Sequence, residues 1–162
     1  MKAFSSSVIV VLTLLANNAA QAVDTPVNAV GDEAPNVVLS EQLRSARGAI
    51  KAKDWRKAIS ELETVLRNEP RNADVHNLLG YSYRRQPTPD LAKAFEHYKT
   101  ALTLNPRHLG AHEYIGEAYL MDKKPAEAQR HLAQIEGICG NRTCEEYVDL
   151  SQALAAYKGV IK

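Results

Sequence analysis

Residues 73–106 read ADVHNLLGYSYRRQPTPDLAKAFEHYKTALTLNP, two amphipathic patterns back to back with a short polar turn between them. Val75, Leu78, Leu79 and Tyr83 recur at spacings of three and four, the period of a helix with one buried face. Gly80 falls inside that helix, where glycine costs about 1 kcal/mol relative to alanine. Its presence predicts a second helix crossing too closely for a side chain. The stretch Gln86-Pro87-Thr88-Pro89-Asp90 ends the first helix, because Pro89 has no amide hydrogen and Pro87 pushes Gln86 out of the helical region. Asp90 is placed to cap the second helix by accepting from its free amides. The buried face of that helix is Leu91, Ala94, Phe95, Tyr98, Ala101 and Leu102, and Asn105-Pro106 closes the unit.

The same grammar recurs on either side. Upstream it runs through Ala46, Ala49, Ile50, Asp54, Trp55, Ala58, Ile59, Leu62, Val65, Leu66 and Pro70; downstream through Ile115, Gly116, Tyr119, Ala128, Leu132 and Ile135. Pro70 and Pro106 are 36 residues apart, as are Gly80 and Gly116, while Ala94 and Ala128 are 34 apart. The two extra residues fit the longer turn at Pro87 to Pro89, and lengthening a surface turn is cheap because closure entropy rises slowly.

On these residues the chain resembles the tetratricopeptide repeat family, whose unit is a helix–turn–helix of 34 residues. The middle unit supplies Leu79, Gly80, Tyr83, Ala94, Tyr98, Ala101 and Pro106 of the family pattern, with His76 at the usual Trp position. The third supplies Ile115, Gly116, Tyr119, Ala128 and Leu132, then departs with Ile135 and Gly140. The first keeps Ala58, Leu62, Val65 and Pro70, while Ser45 and Ala46 replace its Leu-Gly. The resemblance implies an all-α fold, a right-handed α-solenoid of three helix–turn–helix repeats (39–72, 73–108 and 109–142) followed by a capping helix over 143–160.

The first residues, MKAFSSSVIVVLTLLANNAAQA, carry one positive charge at Lys2, an apolar run over 8–15 and a small-x-small site at Ala20-Gln21-Ala22. This reads as a signal peptide over 1–22, cleaved near Ala22, with the chain passing to a periplasm or the exterior. The run is far short of the ~20 apolar residues that span a bilayer, so no stable membrane insertion is expected after cleavage. Losing Lys2 balances the 20 basic and 19 acidic residues, and a neutral exported chain is a poor nucleic-acid binder. Residues 23–38 have no helical period and read as a flexible leader. Ser40 is expected to cap the first helix, which runs to about Lys51; the second is expected over Trp55 to Asn68, with Trp55 packed against the first. Pro125 suits the first turn of a helix.

Beyond Gly140-Asn141 a last helix is expected, capped by Thr143 with Glu146 three residues on and burying Tyr147, Leu150, Leu154 and Tyr157. A terminal helix of this kind covers the apolar face of the last repeat. Cys139 and Cys144 are the two cysteines of the chain. An even count in an exported chain predicts a disulfide, stapling the third repeat to the capping helix and contributing of order 2 kcal/mol. A redox or metal centre on Cys139 and Cys144 is the remote alternative, since the spacing is not Cys-x-x-Cys.

His108 and His112 have the i,i+4 spacing of a helical metal site, but His108 falls at a helix boundary and His112 at the Trp position, where packing is expected. No His-Glu-x-x-His, phosphate loop or nucleophile elbow is present. No enzyme activity, metal or cofactor is therefore expected. The resemblance implies a concave face lined by the first helix of each pair, where a protein or peptide partner binds. Repeat register places Leu43, Arg47, Ile50 and Lys51 there from the first unit, Asn77, Tyr81, Arg84 and Arg85 from the second, and Glu113, Glu117, Leu120 and Met121 from the third. The groove is basic with an aromatic at one end and acidic at the other. Some family members hold a C-terminal carboxylate with Lys and Asn; Leu43, Arg47 and Leu78 stand at those positions here. The expected function is an exported adaptor or scaffold. The alternative is an accessory subunit of an envelope enzyme or secretion complex, docked through its capping helix.

Overall fold

The computed structural model describes residues 35–160; the expected signal peptide and most of the expected leader lie outside them. Among the described residues there are seven helices and no strand. They are α1 Pro35–Lys51, α2 Trp55–Asn68, α3 Ala73–Arg85, α4 Leu91–Leu104, α5 Leu109–Met121, α6 Pro125–Cys139 and α7 Glu145–Val160. Consecutive helices pack as the antiparallel pairs α1/α2, α3/α4 and α5/α6, neighbouring pairs join through α2/α3 and α4/α5, and α7 lies on α5 and α6.

Local chemistry sets the helix ends. Asp54, Asn72 and Asp90 each accept a side-chain hydrogen bond from the backbone N–H three residues on, at 3.1, 3.1 and 3.0 Å. Each satisfies one of the orphan amides of a helix start. Pro125 opens α6, where its missing N–H is harmless. The turn between α3 and α4 is two residues longer than those inside the other pairs. The two short turns close through residues of left-handed backbone, Lys53 at φ 58° and Lys123 at φ 59°. In each, the next amide reaches back five residues to cap the helix, Asp54 to the Ala49 carbonyl at 2.9 Å and Lys124 to that of Tyr119 at 2.8 Å.

Two helix starts differ from expectation. Helix α1 begins at Pro35, inside the segment read as a leader, so Ser40 lies within the helix and is not its cap. Proline is preorganised for a first helical turn, and that signal outweighs the hydroxyl. Thr143 does not cap α7 either. Its amide and hydroxyl both donate to Asn141 Oδ1, at 2.8 and 2.9 Å, and the first carbonyl accepting within α7 is that of Cys144. The asparagine side chain captures the threonine locally before it can reach forward.

The core has two parts. Ala46, Leu62, Val65, Val75, Leu79, Ala94, Tyr98, Ile115 and Ala118 form the first. Leu120, Ala128, Leu132, Ile135, Leu150 and Leu154 form the second, with Tyr147 and Tyr157 against it. The repeated small residues Ala58, Ala94 and Ala128 are all fully buried. A Cβ on Gly80 would lie 2.6 Å from the ring of Tyr98, and one on Gly116 2.6 Å from Leu150. Thus α7 presses on α5 through the glycine of the last repeat, covering its apolar face.

Candidate functional site

An open depression lies where α3, α5 and α7 meet. It is an open cavity of about 410 Å³ lined by Arg84, Arg85, Glu117, Leu120, Met121, Ala153, Ala156 and Tyr157. Met121 is 45 % exposed, and is the one large apolar side chain so exposed among the described residues. Aromatic rings run alongside. Trp55, expected to pack back on α1, reaches forward, its ring edge-on to Tyr81 of α3 at 6.0 Å. Tyr81 in turn meets Tyr114 of α5 at 4.8 Å. The guanidinium groups of Arg84 and Arg85 sit 5.5 and 5.8 Å from the centre of the Tyr81 ring, within range of the attraction between a cation and a π face.

The charged residues read from the sequence are not equivalent. Arg84 was expected to offer its charge to a partner; instead it is 5 % exposed. Its Nη2 is 2.5 Å from Glu117 Oε2, and its Nε donates to the Tyr98 hydroxyl at 3.2 Å. Burial alone would weaken the guanidinium's hold on its proton, but Tyr98 and Glu117 outweigh it and the net direction is up. Nearby, burial pushes the Tyr114 hydroxyl up to about 12. Arg85 is exposed, as are Arg47 and Lys51 on α1.

Glu113 was expected at the acidic end of an open groove. It is 7 % exposed, and it makes no hydrogen bond or ion pair with any described residue. Burial first, then the like charges of Glu117, Asp149 and Glu146, push its carboxyl from the usual range up to about 8, against a smaller opposing effect of Arg84. Asn77 is also buried, and its Oδ1 has no hydrogen-bond partner.

A second arrangement, on the paired helices, escaped the sequence reading. His76 of α3 and His97 of α4 meet Nδ1 to Nδ1 at 3.1 Å, with His76 Nε2 3.2 Å from the Pro70 carbonyl. The next pair repeats this: His112 and His131 meet at 2.9 Å, and His112 Nε2 is 3.0 Å from the Pro106 carbonyl. The tautomers follow. With Nε2–H donating to the carbonyl, His76 and His112 accept at Nδ1, so His97 and His131 donate there. Tyr83 stacks on His97 and Tyr119 on His131. The separations of 21 and 19 residues differ by the two residues of the longer turn, which is the signal that would have found the pairs. Burial lowers the pKa of His97, His112 and His131, and the last falls to about 4.

These four histidines thus each have a protein partner. His108 caps α5, its Nδ1 accepting from the Ala111 amide at 3.2 Å, and its Nε2 lies 3.0 Å from Asp74. His108 and His112 therefore serve different neighbours. Cys139 and Cys144 are brought together across the turn, their Cα atoms 6.5 Å apart and their sulfurs within bonding reach. Glu146 is the one further ligand type near both sulfurs among the described residues.

A family model described as "Tetratricopeptide repeat" matches residues 43–106. No curated protein matches the chain. Among solved structures, the chain is similar to the Sgt2 TPR domain from Aspergillus fumigatus, at 18% identity and TM-score 0.66, over 76% of this chain and 79% of that one. It is also similar to the TPR2B domain of yeast Sti1 in its pHsp70 complex, at 13% identity and TM-score 0.68, over 76% and 98%. A third is the first TPR of Spaghetti (RPAP3) bound to the HSP90 peptide SRMEEVD, at 19% identity and TM-score 0.62, over 77% and 99%. At these identities the likeness is one of fold. The family match itself covers 43–106, from within α1 to just past the end of α4, and the likeness of fold extends over three quarters of the chain.

Proposed function

We propose that this chain is an exported adaptor or scaffold that holds an extended segment of a protein partner along the face formed by α1, α3 and α5, and that it carries out no catalysis. The observation that carries this reading is the run Trp55, Tyr81 and Tyr114 leading into the cavity beside Met121 and Tyr157. Flat aromatic area next to an exposed apolar side chain and an exposed arginine is what a groove for peptide offers. Solved domains of like fold are described in complexes with pHsp70 and with SRMEEVD. The second of these peptides is acidic. Here Arg84 is already neutralised by Glu117, which leaves Arg47, Lys51 and Arg85 to meet any carboxylate.

Export rests on the first 22 residues: the short apolar run and the small-x-small site. Among the described residues no helix is long and apolar enough to cross a membrane. In an oxidising compartment Cys139 and Cys144 form a disulfide that holds α7 at a fixed angle on the last pair. The alternative of docking through α7 draws on the same place, because Ala153, Ala156 and Tyr157 line the cavity.

Selection of phage-displayed peptides on the chain, repeated with a Tyr81→Ala/Tyr114→Ala variant, tests the groove. Enrichment by the parent and its loss in the variant is the expected result. Equal enrichment by both would move the binding surface elsewhere.

A further inference from the structure

Glu113 and Asn77 are each more than nine-tenths buried as residues, and neither carries a full set of partners: Asn77 Oδ1 is enclosed, while the Glu113 carboxylate still reaches solvent. Glu113 has no hydrogen-bonding or ion-pairing neighbour among the described residues, and Asn77 Oδ1 has no donor. Their places are related. Asn77 Nδ2 lies 3.3 Å from where a Cβ on Gly110 would be, and Gly110 is one helical turn before Glu113 on the same side of α5. A side chain at 110 would crowd the asparagine. Asn77 Oδ1 thus stands in the α3/α5 wall without a donor, and Glu113 lies one turn further along α5 with neither a hydrogen bond nor an ion pair to a described residue.

The surrounding charge is lopsided. Glu117 on the same helix and Glu146 and Asp149 on α7 act on Glu113 with one sign. Arg84 of α3 acts with the other and is itself committed to Glu117. The rings of Tyr81 and Tyr114 already carry the Arg84 guanidinium, 5.5 and 5.7 Å from their centres. An acceptor without a donor beside a carboxylate held among like charges describes a receptor for a cation.

We propose that Glu113, with Asn77, receives a cationic side chain of the bound segment, a lysine ammonium or an arginine guanidinium, so that the partner segment is basic. This rests on the groove reading above. The incoming cation supplies the missing hydrogen bonds and converts Glu113 to its carboxylate, the proton passing to solvent. Binding is therefore coupled to loss of one proton and strengthens as pH rises towards 8.

The test uses the full chain and capped twelve-residue peptides of one common sequence carrying two lysines, two acetyllysines or two glutamates. NMR follows the Glu113 Cδ shift together with the rings of Tyr81 and Tyr114. The lysine peptide is expected to bind at least about tenfold tighter than the acetyllysine peptide, to ionise Glu113, and to gain about tenfold or more in affinity from pH 6 to 8. Glu113→Gln is expected to lose both the preference and the pH dependence, and Glu113→Asp to keep part of each. If acetyllysine or glutamate peptides bind as well, or Glu113→Gln keeps the preference, the cation receptor is wrong while the groove stands. If no peptide moves the Tyr81 and Tyr114 signals at millimolar concentration, both readings fall.

Discussion

Arg84 and Glu113 are buried in the same wall, yet the arginine is paired with Glu117 and Tyr98 while the glutamate has no hydrogen bond or ion pair to a described residue. The two are expected to respond in opposite ways to removal of charge. Arg84→Met leaves the Tyr98 hydroxyl and Glu117 without their partner. Because Glu117 keeps access to water, a loss of about 2–3 kcal/mol in urea unfolding is expected. Glu113→Gln should stabilise. The folded pKa of about 8 stands above the ordinary value of 4.5, so the contribution of Glu113 is complete below pH 4.5 and is lost as pH rises through 8. The variant is therefore expected to gain about 2 kcal/mol over the parent at pH 8 and little at pH 4.5, a figure set well under the full shift to allow for solvent screening. A buried carboxylate kept at the expense of stability marks a candidate functional position. Gly80 is a simpler case. Gly80→Ala drives a methyl into the fully buried Tyr98 ring, and a loss of about 2–3 kcal/mol in thermal or urea unfolding is expected.

At the level of elements, the histidine pairs tie α3 to α4 and α5 to α6. The His131 pKa of about 4 lies below the ordinary 6.5, so the folded state binds fewer protons between those values. Its contribution is present above pH 6.5 and is lost as pH falls towards 4. Glu113 acts in the opposite sense over part of that range, so the comparison that isolates the histidine is with His131→Asn, whose stability should fall less steeply from pH 6.5 to 4. A parallel fall in both would show that the pair does not hold the helices together. Most of the elements were legible in the sequence, since the period of Val75, Leu79 and Tyr83, the Pro87–Pro89 turn and the Asp90 cap are local signals. The misplaced starts of α1 and α7 show where local signals compete: Pro35 against Ser40, and Asn141 against a forward cap by Thr143. The histidine pairs were invisible to periodicity, because they depend on two helices meeting at one height.

For the whole molecule, repeat register names candidate residues for a groove but not their condition. Arg84, Arg85 and Glu117 line one cavity, with Tyr81 against both arginines, while no hydrogen bond, ion pair or ring contact joins Arg47 or Lys51 to them among the described residues. That Arg84 is neutralised and Glu113 is not depends on three helices and α7 closing over them, which no single-helix pattern contains. The description of the chain as a peptide-holding solenoid is tested most directly by site-specific photocrosslinking in cells that express it. A photoreactive residue is placed at Met121 or Tyr81 in the groove, or at Glu96 on the exposed side of α4. The account predicts that the two groove positions give adducts to the same protein, through one short basic stretch of its sequence, and that Glu96 does not. Adducts of equal yield from Glu96, or none from either groove position while α7 positions crosslink, would contradict it.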